Sequence, residues 1–315
     1  MILNFKVLPF SLDVKAPFQK KEGILLYAKT TDGKEAWAEI SPLPGFSTET
    51  LEEVKKQVES LRIDILNGQA IFKNQKLFPS VIFGLESLFY TLSGTMIKKL
   101  TYPVCGFLNG NYEEIEKQIP FLIEEGYQHV KLKVSKLSLD EAHFIIRKLL
   151  GKVKLKIDIN RSWSLEKSLS FFSKYPIDTF EYIEEPVDNV QDLEFFPYPI
   201  ALDETLRENI SFSFPLKVKA LIIKPMLMGS LKSIEQTVQL SKKLKAQVVL
   251  SSSYESGVGL FHLCSFFERA KIPLYPLGVD TYRLLKQDLL LNPHVISKGM
   301  LHLSPLEVSY VSKVC

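Results

Sequence analysis

His129-Val130-Lys131-Leu132-Lys133, Leu155-Lys156-Ile157-Asp158-Ile159-Asn160, Phe180-Glu181-Tyr182-Ile183-Glu184-Glu185-Pro186, Ile200-Ala201-Leu202-Asp203-Glu204 and Leu221-Ile222-Ile223-Lys224-Pro225 hold five short apolar runs at nearly even intervals, anchored at their far ends by the charges of Lys133, Asp158, Glu184, Asp203 and Lys224. A strand buries its apolar residues, so a terminal charge marks where it leaves the core. The spacing fits successive strand–helix units, and in a parallel barrel the rim where strands end is where chemistry sits. Side chains repeat every two residues along a strand, which puts Lys131 and Lys133 on the same face, and by the same rule Lys156, Asp158 and Asn160 share a face.

Outward from these runs the pattern keeps alternating. Tyr102 to Leu108 reads as a first strand, followed by a helix carrying Ile115, Ile119 and Leu122, which Pro120 should kink or split. Ser138-Leu139-Asp140-Glu141 is a capping box opening a helix that runs to Gly151. Ser230 precedes Leu231, Ile234 and Val238 at helical spacing, Gln247 to Leu250 is a seventh strand, and Tyr275 to Gly278 a weaker eighth. The predicted class is α/β, a (β/α)7β TIM-like barrel over residues 102–285.

Residues 1–101 read as an α+β capping domain. Strands Gly23–Thr30 and Glu35–Ile40 flank Asp32-Gly33, a hairpin signal. Ser41-Pro42-Leu43-Pro44-Gly45-Phe46 follows as a rigid loop, with Ser47 or Thr48 expected to cap a helix bearing Leu51, Val54 and Val58. Pro79-Ser80 opens another helix, apolar at Val81, Leu85, Leu88 and Leu92. Residues 286–315 have no place in the barrel and are expected to return to the capping domain.

Composition narrows the function classes. The 315 residues carry 39 basic and 36 acidic side chains, a formal +3, too small a bias to select nucleic acid or a membrane as partner. No apolar run approaches the ~20 residues of a membrane span, and the N-terminus lacks a signal-peptide pattern, so a cytoplasmic protein is expected. Cys105, Cys264 and Cys315 are odd in number and scattered, which suits reduced thiols. His129 is expected to be structural.

Asp158, Glu184 and Asp203 come from three consecutive strands, so their carboxylates can converge at the barrel mouth. Three hard oxygen donors with no Cys or His pair suit Mg²⁺, with Mn²⁺ as a substitute. Each carboxylate alone is better explained by a loop cap or an ion pair, which are common; the joint pattern is much stronger. A free lysine, with a pKa near ~10.4, is a poor base. Lys131 beside Lys133 and a cation disfavours an ammonium, which would bring at least one of them towards the range of about 7–8 that general bases use. Lys224 reaches the site from the opposite side. A base, a divalent cation and an opposed ammonium fit proton abstraction α to a carboxylate, where the obstacle is the charge of the enediolate.

These residues resemble the enolase superfamily and, within it, the o-succinylbenzoate synthase family. The resemblance spans almost the whole chain. It includes Glu39-Ile40-Ser41-Pro42-Leu43-Pro44-Gly45-Phe46-Ser47, Pro79 to Gly84, the Lys-x-Lys pair, Asp158 to Trp163, Glu184-Glu185-Pro186, Asp203 to Arg207, Lys224-Pro225 and Ser251 to Ser256. It departs at Ala36-Trp37-Ala38, where the family has a Gly-rich lead, and at the eighth strand and tail.

The resemblance implies a Mg²⁺ site of Asp158, Glu184 and Asp203 and a small-molecule carboxylate as substrate. It implies Lys133 as base and then acid in a syn dehydration, Lys224 as the stabilising ammonium, and Lys131 as an assistant at the substrate carboxylate. The backbone of Ser251, Ser252 and Ser253 would meet a succinyl carboxylate, and the loop with Pro44, Gly45 and Phe46 would close over the substrate. Asn160 and Glu204 would support the metal ligands. N-acyl amino acid racemases and dipeptide epimerases, which use both lysines as bases, are the nearest alternative. A Schiff-base enzyme on Lys224 would leave the carboxylates unexplained, and a non-catalytic scaffold would leave the filled catalytic positions without purpose. Monomer and homo-oligomer both stay open.

Overall fold

The computed structural model describes residues 1–15, 19–67, 76–94, 97, 99–208 and 217–309. The chain opens with a three-stranded antiparallel sheet of Ile2–Asp13, Lys20–Thr30 and Glu35–Ile40, in that order. The first strand is the longest of the three and was not expected from the sequence. Pro9 sits inside it and lacks an N–H; an edge strand, which this is, tolerates that loss. The Asp32-Gly33 turn is formed as expected, with Gly33 at φ +84°.

The helix Leu51–Ser60 is capped by Thr50, in a reciprocal box with Glu53, and not by Ser47 or Thr48. Those two are engaged elsewhere: Ser47 Oγ accepts the Leu43 N–H at 2.8 Å, bracing the proline loop, and Thr48 donates to Glu49. Val54 and Val58 of this helix, and Leu85 and Leu88 of the helix Pro79–Leu92, pack on Ile24, Leu26 and Ile40 of the sheet. Full burial of such side chains stabilises by about 1.5–3 kcal/mol each. Gly84 permits the closest approach: a Cβ there would stand 2.3 Å from Ile40 Cγ1 and 3.0 Å from the Glu39 carbonyl oxygen. Gly84→Ala is therefore expected to cost about 1–3 kcal/mol, read as a lower urea midpoint; an unchanged midpoint would mean that the sheet yields freely.

Seven parallel strands follow in sequential order: Gly106–Leu108, His129–Lys133, Lys154–Asp158, Tyr182–Glu184, Ile200–Leu202, Val218–Ile223 and Gln247–Leu250. Closure comes from two parallel bridges, Val104 to Leu277 and Ser251 to Gly278. The expected eighth strand is thus reduced to Leu277 and Gly278, because Pro273 and Pro276 remove ladder donors ahead of it. The expected first strand is divided as well. Gly106–Leu108 enters the barrel, while Thr101–Pro103 pairs antiparallel with Met300–His302.

Pro120 does not split the helix Tyr112–Glu124, which Asn111 and Glu114 cap reciprocally. Ser138 with Glu141 and Ser230 cap Leu139–Leu149 and Leu231–Leu244 as expected. The chain beyond Leu285 goes to two places. Leu289 and Leu290 pack with Phe10, Leu12 and Leu25 of the N-terminal sheet, and the hairpin Val295–Ser297/Met300–His302 covers the Thr101–Pro103 segment. Cys105 and Cys264 are buried free thiols; Cys315 lies outside the described residues. Among the described residues no helix is long and apolar enough to cross a membrane.

Candidate active site

Strand register builds the site. Lys133 pairs with Asp158, and Asp158 pairs with Glu184, so one row at the carboxyl ends of three neighbouring strands carries a lysine and two carboxylates. Lys131 lies two residues deeper on the same face. Asp203 and Lys224 each stand one residue past their strands. The row opens into a cavity of about 290 Å³ that Lys131, Lys133, Asp158, Glu184 and Lys224 all line.

Lys131 Nζ lies 3.1 Å from Asp158 Oδ2 and 3.1 Å from Glu184 Oε1. Burial works against its charge, but these two carboxylates outweigh burial and raise its pKa well above the ordinary lysine value. Lys133 is the opposite case. Burial lowers its pKa, Lys131 and Lys224 lower it further, and Asp158 only partly compensates. Lys224 forms an ion pair with the fully buried Asp203; burial opposes its charge, yet Asp203 brings the net shift upward. One lysine whose charge burial disfavours thus faces two whose charge neighbouring carboxylates favour.

Of the three carboxylates, Glu184 is held above the ordinary range. Burial pushes Glu184 up to about 8, despite Lys131. Asp203 Oδ1 is buried without a hydrogen-bond partner, 3.5 Å from Arg207 Nε. Among the described residues no three His, Cys, Asp or Glu side chains are drawn together tightly enough to hold a metal ion; Lys131 and Lys224 occupy the carboxylate oxygens. The chemistry of the donor set, three buried carboxylates with an unpartnered oxygen and no sulfur or imidazole, nevertheless fits a hard divalent cation.

Behind this row, Asn160 N donates to Asp158 Oδ1 at 3.2 Å and its side-chain amide to Glu204 Oε1 at 3.4 Å. Burial first, then Asp203, raises Glu204 to about 7. Glu185, to which the sequence reading gave no role, makes a tighter clamp. Its Oε1 accepts the N–H groups of Asp203 and Thr205 at 2.7 and 2.9 Å, and its Oε2 accepts from Thr205 Oγ1 and Arg161 Nε. Asn160, Arg161 and Glu185 all have positive φ, strain concentrated where the carboxylates are set.

Ser251, Ser252 and Ser253 line the cavity, but their backbone is not available to a ligand as expected. The Ser251 N–H is bonded to the Ile223 carbonyl, that of Ser252 to the Gly278 carbonyl, and that of Ser253 to Glu255 Oε2. The buried Ser253 hydroxyl has no hydrogen-bond partner among the described residues. Of the loop, Leu43 and Phe46 face this cavity, whereas Pro44 and Gly45 line the adjoining one. His129 bonds Glu181 at 2.9 Å and does not line the cavity.

Lys156 is a further wall residue that received no role in the sequence reading. It is fully buried, 3.7 Å from Glu181 and 5.2 and 5.0 Å from the ring centres of Tyr182 and Tyr275. Its two-residue spacing from Asp158 was the available signal.

A capping domain on a parallel barrel with this lysine–carboxylate rim defines an enolase-superfamily enzyme, and residues 114–306 match the family described as enolase C-terminal domain-like. Residues 13–91 match the MenC N-terminal domain. The o-succinylbenzoate synthase of Pasteurella multocida is 32% identical, covering 90% of this chain and 91% of that one. That of Proteus mirabilis is 30% identical, covering 91% and 93%. The chain belongs to the o-succinylbenzoate synthase family, which are lyases. Among solved structures, the L-Ala-D/L-Glu epimerase of Bacillus subtilis superposes with a TM-score of 0.80 at 16% identity, covering 96% of each chain. MenC from Desulfotalea psychrophila gives 0.76 at 20%, covering 95% of this chain and 99% of that one. Both share the fold.

Proposed function

We propose that the chain catalyses the Mg²⁺-dependent syn dehydration of 2-succinyl-6-hydroxy-2,4-cyclohexadiene-1-carboxylate to 2-succinylbenzoate, in menaquinone biosynthesis. The neutral amine of Lys133 removes the proton α to the ring carboxylate. The electron pair moves into that carboxylate as an enediolate, beside the Lys224 ammonium, whose charge is needed there. Lys133, now an ammonium, gives its proton to the departing hydroxyl on the same face; the C–O bond breaks, water leaves and the ring becomes aromatic. Lys131 keeps its charge through the cycle and disfavours protonation of Lys133. Asp158, Glu184 and Asp203 would hold the metal ion. When bound, that cation supplies positive charge where the substrate carboxylate gains negative charge.

The asymmetry of Lys133 and Lys224 supports dehydration over racemisation. A racemase needs a proton acceptor on each face, and Lys224 is held as an ammonium by Asp203. One base and one fixed cation suit elimination from a single face.

The base must be neutral to act, so kcat/KM should rise with pH through the Lys133 pKa. Burial lowers that pKa, so the rising limb is expected below the ordinary 10.5. Lys224, shifted the other way, stays cationic across the limb. A pH–rate profile with its limb at or above the free lysine value would contradict the assignment. The activity itself is tested by following loss of the cyclohexadiene absorbance with Mg²⁺ and with EDTA. Turnover only with the metal is expected; equal rates in both would remove the metal from the account.

A further inference from the structure

Glu39, next to last in the final strand of the capping sheet, is fully buried and plays no part in the chemistry above. Its carboxylate reaches 217 positions along the chain to the start of the barrel helix Gly257–Arg269. Oε2 accepts the Ser256 N–H at 3.1 Å, the Gly259 N–H at 3.0 Å and the Ser256 hydroxyl; Oε1 accepts the Ser41 hydroxyl at 2.5 Å. The first N–H groups of a helix have no partner within it, and a carboxylate placed there satisfies them and complements the helix dipole. Here the carboxylate comes from another domain. Gly259 makes room for it, since a Cβ at that position would stand 2.8 Å from Glu39 Oε2.

Two further buried charges converge on the same joint. Lys21 Nζ donates to the Ser41 carbonyl at 2.7 Å and more distantly, at 3.4 Å, to that of Pro42, the first two residues of the proline loop. Glu255 Oε2 accepts the Ser253 N–H at 2.5 Å, and so holds the triple-serine turn. The loop's far end is tied separately, by Arg207 donating to the Phe46 carbonyl at 3.2 Å. The two walls that the cavity takes from different domains, Leu43 and Phe46 on one side and Ser251–Ser253 on the other, therefore meet at Glu39.

We infer that Glu39 is a positioning residue, an interdomain latch that fixes the proline loop against the triple-serine wall and thereby sets the width of the substrate cavity. Its kinetic consequence rests on the dehydratase reading; the latch itself does not. Because the latch shapes the cavity without touching Lys133 or the carboxylates, its loss should appear in KM and leave the chemical step alone.

The test uses the full-length protein with Glu39→Gln, the specific probe, and with Gly259→Ala, a broader disruption of the same joint with both charges kept, since its Cβ would stand 2.7 Å from Glu255 Cβ as well as 2.8 Å from Glu39 Oε2. Backbone hydrogen exchange at residues 41–47 and 251–256 should quicken about tenfold or more in both. KM for the cyclohexadiene substrate should rise about tenfold, the size of one charge-assisted hydrogen bond, with kcat within about threefold and the pH limb unmoved. Should either variant fail to fold, Ser256→Ala, which removes one of these hydrogen bonds, gives the same readout in weaker form. A lowered melting temperature with unchanged exchange in both segments and unchanged KM would overturn the latch. Faster exchange in a protein whose wild type has no dehydratase activity would uphold the latch and dismiss the substrate.

Discussion

Lys133→Ala should abolish dehydration while leaving the protein folded and its affinity for Mg²⁺ largely intact. Loss of a general base costs about 10²–10⁴-fold. The same side chain also delivers the leaving-group proton, so the upper end of that range is expected for kcat. Among the described residues Lys133 takes part in no ion pair, and burial disfavours its charge, so the substitution breaks no paired contact. The melting temperature should be unchanged or higher. Assay, thermal melt and Mg²⁺ titration on one preparation check all three points, and substantial residual turnover would remove Lys133 from its role.

Asp203→Ala should share the loss of activity but differ in stability and in metal affinity. Asp203 is fully buried, pairs with Lys224 and lies near Arg207, and its own N–H is pinned by Glu185. Removing the carboxylate strands a buried ammonium, which costs about 3–5 kcal/mol when one partner of a buried pair is deleted. The melting temperature should fall, Mg²⁺ affinity should drop because one of three donors is gone, and activity should disappear. Calorimetric titration of the metal separates this from simple unfolding. A folded variant that binds Mg²⁺ as tightly as wild type would show that the cation sits elsewhere.

What was legible in the sequence follows from local rules. The two-residue repeat of a strand was enough to put Lys131 and Lys133 on one face. The even spacing of the apolar runs was enough to bring Asp158, Glu184, Asp203 and Lys224 to one rim. Caps within three residues, such as Ser138 with Glu141, were equally readable. Long-range contacts were not.

Glu39 meets Ser256 and Gly259 across more than two hundred residues, and no local pattern announces such a partner. The amides of Ser251–Ser253 look free in sequence, yet the neighbouring strand at Ile223, closure at Gly278 and the turn at Glu255 consume them. The run from Tyr102 to Leu108 is divided because the hairpin at Met300–His302 pairs with Thr101–Pro103 while the barrel pairs with Gly106–Leu108. Thr50, not Ser47, caps its helix because Ser47 is already committed to Leu43. In each case a hydrogen bond to a distant or competing partner decided what residue type alone left open.

The most direct test of the central claim offers the wild-type enzyme two substrates in deuterated buffer with Mg²⁺: the cyclohexadiene carboxylate and a chiral N-succinyl amino acid. With Lys224 held as a cation, dehydration should far exceed racemisation in kcat/KM, and any deuterium entering the amino acid should do so from the Lys133 face alone. Rapid racemisation with deuterium exchange on both faces, and little dehydration, would contradict the account and make Lys224 a second base.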